Sequence, residues 1–485
     1  MSPAEAPLQM PIPFGISADT GMPLDGVDDA ALESLQHGPV ESAVASDYLK
    51  AKVDSTEAHF GTIGDVDPNA LDQAGWAVLF APSADQRIRE ALQPLLDHRK
   101  EQVGDESLFK IFDGVTGFQP GDTASQWLNR QKVRMDVVDP QLGVPFYLLI
   151  VGPPDEIPFE FQYGLDLYWG VGRLWFDNAD DFRQYATSVV EYETMAEVPT
   201  SRQMGIFAPR HDFDQATQLF AGEVAEPLAN GSGSTGPIGK RQKFAVQHFV
   251  GDPATKDALT SLFSGTAERG SPALLFTGGH GKSFKPDDPR HAGSQGALIC
   301  QDWTGYGKVE RDHYFDASDL PANAKVHGLV HFLFACYGGG CPERDTFNRL
   351  ENTPKQISPR AMISRLPQAL LSHRNGAALA VMAHIDRAWA YSFRQGSSAQ
   401  TQGFRDVIGR IMRGDRLGQA TDQFNVRWAA LSTDLSEVLG QMQMGLKLDP
   451  KRLANQWIAR DDARNYVVFG DPAVRLRVED MPALA

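Results

Sequence analysis

Two short apolar segments each end in a side chain that can do covalent chemistry. Residues 273–281 (Ala-Leu-Leu-Phe-Thr-Gly-Gly-His-Gly) lead to His280, and residues 329–336 (Leu-Val-His-Phe-Leu-Phe-Ala-Cys) lead to Cys336. Each pattern is typical of a buried strand that stops at a glycine turn. Strands buried on both faces occur in parallel sheets, whose carboxyl edges carry functional sites. The sequence therefore predicts His280 and Cys336 at one sheet edge, as a thiolate–imidazole pair.

Such a pair is the chemistry of a cysteine peptidase. Cys336 would attack a peptide carbonyl, and His280 would keep the thiolate ionised and then protonate the leaving amine. The backbone N–H groups of Gly281 and Cys336 would stabilise the developing oxyanion. Taken singly, a cysteine after an apolar strand is more often a small buried hydrophobe, and a histidine there a hydrogen-bonded core residue. Their joint position at two strand ends favours a functional role.

The rest of the chain predicts the sheet that would position this pair. Strands alternate with helices from Gly75 onward, which indicates an α/β fold with a mostly parallel sheet and right-handed crossovers. The sequence predicts further strands at 76–81, 146–152, 205–209, 243–250, 376–384 and 466–469. It predicts helices at 85–100, 123–131, 180–192, 213–229, 254–263, 360–372 and across most of 400–459.

Three regions follow from this pattern. Residues 1–72 are rich in Pro, Gly, Asp and Ala, and indicate an irregular N-terminal arm or pro-segment. An extension lying on the core is favoured there over a regulatory segment. Residues 73–200 are expected to form a smaller α/β subdomain, and residues 201–480 a larger catalytic subdomain.

Composition limits the classes of partner. The 485 residues carry a net charge of −17, and no basic patch stands out, so a nucleic-acid partner is not expected. The three cysteines, Cys300, Cys336 and Cys341, are too few for a disulfide scaffold and suit a reducing compartment. The first residues show no secretory pattern, and no apolar run is long enough to cross a bilayer. A cytoplasmic protein without a membrane partner is the expectation.

Several segments together carry a family resemblance. They are 146–158, 164–170, 277–281, 334–336, 376–389 and 468–472. In this order they resemble segments of the gingipains (peptidase family C25), a family of caspase-like cysteine peptidases. The resemblance covers roughly residues 145–478 and implies two side-by-side α/β units, with mostly parallel sheets sandwiched by helices.

The resemblance also implies roles for individual residues. His280 and Cys336 fall on the catalytic dyad. Asp166 falls on the carboxylate that selects arginine in the arginine-specific members, and Trp389 falls on the aromatic that lies over the substrate guanidinium. Carboxylates and indole faces both attract guanidinium groups. Glu156 falls near the acid that orients the histidine, and the neighbouring Asp155 is the alternative.

The resemblance implies an endopeptidase that cleaves protein or peptide substrates after Arg or Lys, through a thioacyl-enzyme. It implies no required cofactor and leaves a structural calcium ion open. An intracellular peptidase needs restraint, so we expect latency until cleavage or a regulatory partner activates it. The basic residues of two loops, Lys240-Arg241 and 344–360, are candidate cleavage sites.

Two other functions stay open at this stage. A catalytically silent scaffold with the same fold could bind a peptide or a regulatory partner in its groove, although the presence of both His280 and Cys336 argues against it. An acyl transferase or peptide ligase could use the same acyl-enzyme. A nucleotide-binding protein is disfavoured because residues 278–283 (Gly-Gly-His-Gly-Lys-Ser) lack the spacing of a phosphate loop.

Overall fold

A computed structural model describes residues 11–24, 61–268, 270–347, 354–395, 398–444 and 449–482 of the chain. The main feature of these residues is one ten-stranded sheet with the order β3-β2-β4-β5-β18-β15-β12-β8-β6-β7. Its strands are β2 Trp76–Phe80, β3 Phe109–Phe112, β4 Tyr147–Val151, β5 Gly170–Leu174, β6 Ser201–Ala208, β7 Ala245–Val250, β8 Pro272–Gly278, β12 Val330–Phe334, β15 Ala380–His384 and β18 Tyr466–Gly470.

The sheet has two halves that meet at β18. Strands β3, β2, β4 and β5 run parallel to one another, and so do β15, β12, β8, β6 and β7. β18 is antiparallel to β15 and bridges to β5 at the pair Phe469 and Arg173. The side chains of β2, β4, β8 and β12 are buried along their whole lengths, as expected for strands covered on both faces.

Helices connect and cover the strands. Asp85, Thr123 and Thr255 each accept an N-terminal backbone N–H with their side chains, which starts the helices that follow them. The helices are α1 Leu71–Ala74, α2 Gln86–Val103, α3 Ala124–Arg130, α4 Phe159–Asp166, α5 Ala179–Thr194, α6 Gln215–Phe220, α7 Glu226–Asn230, α8 Lys256–Ser264, α9 His291–Ser294, α10 Arg365–Leu371, α11 Gln402–Arg413, α12 Leu417–Ala420, α13 Asp422–Gln443 and α14 Pro450–Arg464.

A buried ionic network ties the first half of the sheet to β18. The guanidinium of Arg99 on α2 lies 2.7 Å from an Asp471 carboxylate oxygen and also binds Glu193 on α5. The second Asp471 oxygen accepts the indole N–H of Trp76 at 2.9 Å. Removing one member would leave a buried charge without compensation. Asp471, part of the Phe-Gly-Asp-Pro segment at 469–472, therefore joins the two halves.

Smaller sheets lie outside the main one. The largest has the order β1-β9-β10-β11, and two strand pairs, β13 with β14 and β16 with β17, complete the set within the described residues. Their bounds are β1 Gly15–Ser17, β9 Gly281–Ser283, β10 Leu298–Ile299, β11 Tyr314–Phe315, β13 Gly340–Cys341, β14 Met362–Ile363, β16 Arg394–Gln395 and β17 Ser398–Ala399. β1 comes from the N-terminal arm and pairs in parallel with β9.

The α/β fold with a mostly parallel sheet between helices is confirmed. The long apolar runs gave the right strands because burial on both faces leaves a continuous hydrophobic signal. The two predicted units appear as halves of one sheet, joined by β18. The predicted boundaries at 72 and 200 stay predictions, and residues 1–10 and 25–60 of the arm lie outside the described residues. No helix in the described part of the chain is long and apolar enough to cross a membrane.

Candidate active site

The sheet brings His280 and Cys336 to adjacent strand ends. β8 and β12 are parallel neighbours in which Gly278 pairs with Phe334, and His280 and Cys336 each follow two residues later. The backbones are in close contact there, since a Cβ on Gly281 would lie 1.9 Å from the carbonyl oxygen of Cys336. Only glycine fits at position 281. The structure therefore places the two residues at adjacent strand ends, as expected, and their catalytic roles stay a prediction.

The Cys336 thiol is buried in this state. Its Sγ receives the backbone N–H of Ala388 at 3.2 Å and donates to the Ala388 carbonyl at 3.5 Å. Burial raises the pKa of the Cys336 thiol far above its ordinary value. The group is thus a neutral thiol here, and a thiolate would form only when the surroundings become wetter or more polar.

His280 is oriented by Asp214, which was not among the site residues predicted from the sequence. The Nε2 atom of His280 lies 2.9 Å from the Asp214 carboxylate, and both side chains are buried. Burial opposes ionisation of Asp214, but the charge and hydrogen bond of His280 and the N–H of Thr217 outweigh it, so the pKa of Asp214 lies well below its usual range. In the described structure the Nδ1 atom of His280 is buried without a hydrogen-bond partner. One ring nitrogen is therefore fixed and the other is available.

Glu156 and Asp155 were the wrong choice for this acid. Glu156 accepts the N–H of Ser83 at 2.9 Å, and Asp155 pairs with Arg360. Both follow β4, which is five strand spacings from β8, or about 24 Å. Asp214 follows β6, the immediate neighbour of β8, and caps α6. A carboxylate in the loop after a neighbouring parallel strand was the sequence signal that could have identified it.

Residues 12–14 of the N-terminal arm lie in the cleft beside this pair. The N–H of Phe14 donates to Ala388 O at 2.8 Å, and the N–H of Ala390 donates to Ile12 O at 3.0 Å. Pro13 and Trp389 form the antiparallel bridge between these bonds. The arm has thus added a short strand to the edge formed by residues 388–390, as an extended peptide ligand does.

The carbonyl of Phe14 occupies the position predicted for the oxyanion. Its oxygen accepts the N–H of Gly281 at 2.9 Å and the N–H of Cys336 at 3.0 Å. These are the two donors predicted from the sequence to stabilise the oxyanion. The next residue, Gly15, is so close to the thiol that a Cβ there would lie 2.9 Å from Cys336 Sγ. The Phe14–Gly15 peptide bond therefore lies beside the thiol.

Two apolar side chains anchor this segment on either side of that bond. The Phe14 ring is fully buried and lies 4.9 Å from Phe334, 5.7 Å from Phe393, 6.1 Å from Phe220 and 6.0 Å from His280, between ring centroids. Beyond the bond, Ile16 is buried in a separate cluster. That cluster contains Ala297, Ile299, Trp303, Val309 and Tyr314.

Trp389 lies at the cleft through its backbone. It bridges to Pro13, and its N–H donates to Asp462 at 2.9 Å. Its ring packs against Phe347, 5.4 Å away between centroids, in a cluster with Tyr391 and Ile458. These ring contacts belong to a different cluster from the one around Phe14.

The structure does not bring Asp166 to the pocket that holds Phe14. Asp166 receives the N–H of Val171 and lies near Arg173, and burial raises its pKa well above the usual range. It lines a small cavity whose other walls are Met382, Thr421, Phe424, Asn425, Tyr466 and Val468. As described, this wall shares no residue with the Phe14 pocket. The physical reason is the sheet order, because Asp166 precedes β5, three strands away from β12.

No group of three or more His, Cys, Asp or Glu side chains in the described ranges is arranged to hold a metal ion. Structural calcium thus stays a prediction. The dyad residues themselves are one thiol and one imidazole, with Asp214 bound to the histidine.

A thiol and an imidazole on adjoining parallel strands, with two N–H groups converging on one carbonyl oxygen, form an arrangement suited to a cysteine peptidase. Comparison with known families agrees: the model of peptidase family C25 matches residues 78–477. The chain therefore belongs to this family of cysteine peptidases.

Solved structures give weaker similarities. An Arg-specific cysteine proteinase, gingipain R, is 14% identical with a TM-score of 0.48, covering 84% of this chain and 79% of its own. A complex of the pro- and mature domains of RgpB from Porphyromonas gingivalis is 14% identical with a TM-score of 0.47, covering 83% and 80%. No curated protein sequence matches the chain.

Proposed function

We propose that this protein is a cysteine endopeptidase with Cys336 as nucleophile and His280 as general acid–base, and that its own residues 11–24 keep it latent. One observation carries the proposal. The carbonyl of Phe14 accepts both N–H groups that would stabilise an oxyanion, next to the thiol. Protein and peptide substrates would bind as this segment does.

The reaction would proceed through an acyl-enzyme. The Cys336 thiol gives its proton to His280, and the thiolate attacks the substrate carbonyl carbon, forming a C–S bond. The resulting oxyanion is held by the N–H groups of Gly281 and Cys336. The C–N bond then breaks as His280 protonates the leaving amine. Water hydrolyses the thioester, and the thiol and a carboxylic acid product are regenerated.

Latency is supported by the state of the cleft. The substrate edge at 388–390 and the two oxyanion donors are already engaged by the arm. The thiol is buried, and its pKa is raised by that burial. Activation therefore requires displacement of residues 11–24, by cleavage of the chain or by a partner. The candidate cleavage site Lys240-Arg241 lies in a turn of the described chain, whereas part of 344–360 lies outside the described residues.

A separate question is whether the enzyme prefers arginine before the cleaved bond. The resemblance implied cleavage after Arg or Lys, and gingipain R is described as Arg-specific. Asp166, the carboxylate assigned to select arginine, lines a different cavity from the Phe14 pocket. A preference for Arg or Lys before the cleaved bond is therefore supported only by the family resemblance.

A second candidate is the silent peptide-binding scaffold. It is favoured by the same occupied groove, because a segment bound with edge hydrogen bonds and a buried side chain is also what a peptide-binding domain holds. The two candidates differ in one respect only, which is whether a bound peptide is cut.

The test uses full-length protein in which the arm is released by Phe14→Asp, since a carboxylate would not be tolerated among aromatic rings. Fluorogenic peptides with Arg, Lys or Phe before the reporter are assayed with this variant, and with Cys336→Ala or His280→Ala added. The proposal expects hydrolysis that falls about 1,000-fold or more in either double variant. Hydrolysis that persists in the Cys336→Ala form would overturn it. Binding of the peptides without hydrolysis would establish the scaffold.

A further inference from the structure

We infer that the pocket beside the thiol takes a large apolar or aromatic side chain, and that the preferred cleavage site has such a residue before the bond and glycine after it. The inference rests on the proposed peptidase function and names its substrate class. It departs from the arginine preference that the family resemblance implies. We infer the substrate residues from the segment bound in the cleft, because Phe14 and Gly15 lie where the two residues of a scissile bond would lie.

The pocket walls are aromatic on several sides. Phe220 ends α6, Phe334 ends β12, and Phe393 follows the turn Ala390–Ser392. The Phe14 ring meets all three at angles between 63° and 74°, the edge-to-face arrangement that aromatic pairs prefer. Behind Phe334 the aromatic layer continues to Phe404, 5.9 Å away between centroids.

Two carboxylates on the elements around this pocket are already engaged. Asp214, at the start of α6, binds His280 at 2.9 Å. Glu223, one turn beyond Phe220, lies 3.2 Å from Arg394. A substrate guanidinium would have to displace one of these partners or stay unpaired among aromatic rings. Burial of an unpaired charge is strongly unfavourable, whereas a phenyl ring gains from the same surroundings.

The positions after the bond are selective as well. A Cβ on Gly15 would lie 2.8 Å from Cys336 Cβ and 2.9 Å from its Sγ, so the backbone there passes too close to the thiol for a side chain. The following residue, Ile16, is fully buried among Trp303, Val309 and other apolar side chains. The cleft thus favours a substrate with a large apolar residue, then glycine, then a second apolar residue.

The first experiment measures substrate choice. Full-length Phe14→Asp protein is given matched peptides Ile-Pro-X-Gly-Ile with X as Phe, Leu, Arg, Lys or Asp, between a fluorophore and a quencher. The inference expects kcat/KM for Phe to exceed that for Arg by about 100-fold, as an apolar site discriminates against a buried charge. Faster cleavage after Arg than after Phe would overturn it.

The second experiment determines which side chain the pocket holds and does not require catalysis. In the full-length protein, the rate at which iodoacetamide alkylates Cys336 is followed by peptide mass spectrometry for Phe14→Leu and Phe14→Arg. We expect Phe14→Leu to stay within a few-fold of the unmodified chain and Phe14→Arg to react about 100-fold faster, because the charged side chain leaves the pocket. Met22→Arg is the matched control, since Met22 is 51% exposed on the same segment.

The two experiments distinguish a failure of this inference from a failure of the proposed function. If no peptide is cut, the peptidase proposal fails, while the alkylation rates still report which side chain the pocket holds. If Phe14→Arg protects the thiol as well as phenylalanine does, the pocket accepts a guanidinium and the inference is wrong. Cys300 and Cys341 are buried outside the cleft and serve as internal references for unfolding.

Discussion

The carbonyl oxygen of Phe14 lies 3.0 Å from the backbone nitrogen of Cys336 and accepts its N–H. A residue of the N-terminal arm is therefore bound to the residue proposed as the nucleophile, over more than 300 residues of intervening chain. The same oxygen accepts the Gly281 N–H at 2.9 Å. The arm thus contacts both strand ends that carry the proposed catalytic residues.

Replacing Gly15 by alanine should loosen the arm. The new Cβ would lie within 2.9 Å of Cys336 and 2.6 Å of Leu24, so the segment must shift away from the thiol. We expect alkylation of Cys336 to accelerate about 10-fold or more, since overpacking costs typically 1–3 kcal/mol. Gly222→Ala is the control, because a Cβ there meets no atom within 4 Å. An unchanged rate in Gly15→Ala would mean that the arm does not limit access to the thiol.

Replacing Asp214 by asparagine should slow the released enzyme with little change in KM. The carboxylate stabilises the imidazolium that forms when His280 takes the thiol proton, and an amide cannot do so. In the Phe14→Asp background we expect kcat to fall about 100-fold. Glu156→Gln, which removes the other candidate acid, should leave kcat unchanged. Equal losses in the two variants would contradict the assignment of Asp214.

The Asp214 contact also predicts a pH dependence of stability. Its pKa in the folded protein lies below the unfolded value of about 3.9, so the folded state binds fewer protons in that range. The stability from this group is fully present above about pH 4 and is lost as the pH falls toward the folded pKa. Urea unfolding should therefore show Asp214→Asn less stable than the unmodified chain at pH 7, with the difference shrinking below pH 4. A constant difference would argue against the depressed pKa.

Removing the carboxylate of Asp166 should not change substrate choice. Its neighbours are Val171, Arg173 and the walls of a small separate cavity. With the released enzyme we expect the ratio of kcat/KM for Arg and Phe peptides to stay within about twofold in Asp166→Ala, since the residue contacts neither substrate. A selective loss of cleavage after Arg would restore the role that the family resemblance assigned to Asp166.

The sequence predicted the fold and the pair at its centre because both depend on strong local signals. The runs that precede His280 and Cys336 are apolar on both faces, and glycines mark their ends, so strand direction and edge could be inferred together. Two N–H donors, those of Gly281 and Cys336, followed from the same reasoning. They are the groups that bind the Phe14 carbonyl.

The remaining parts of the site depend on strand order, which the sequence does not encode locally. Asp214 binds His280 because β6 is the neighbour of β8, whereas Glu156 follows a strand in the other half of the sheet. Residues 11–24 contain only one three-residue strand, and the hydrogen bonds of Ile12 and Phe14 go to the cleft, so the segment shows no long periodic pattern in the sequence. From the sequence, this segment was therefore predicted to be an extension lying on the core rather than a regulatory segment.

The most direct test of the central claim is to identify the residue that an irreversible peptidyl acyloxymethyl ketone labels. An Ile-Pro-Phe probe is incubated with full-length Phe14→Asp protein, and the modified peptide is located by mass spectrometry. We expect a thioether on Cys336 that is lost in His280→Ala, with Cys300 and Cys341 unmodified. Labelling of Cys341 or Cys300, with Cys336 free, would contradict it.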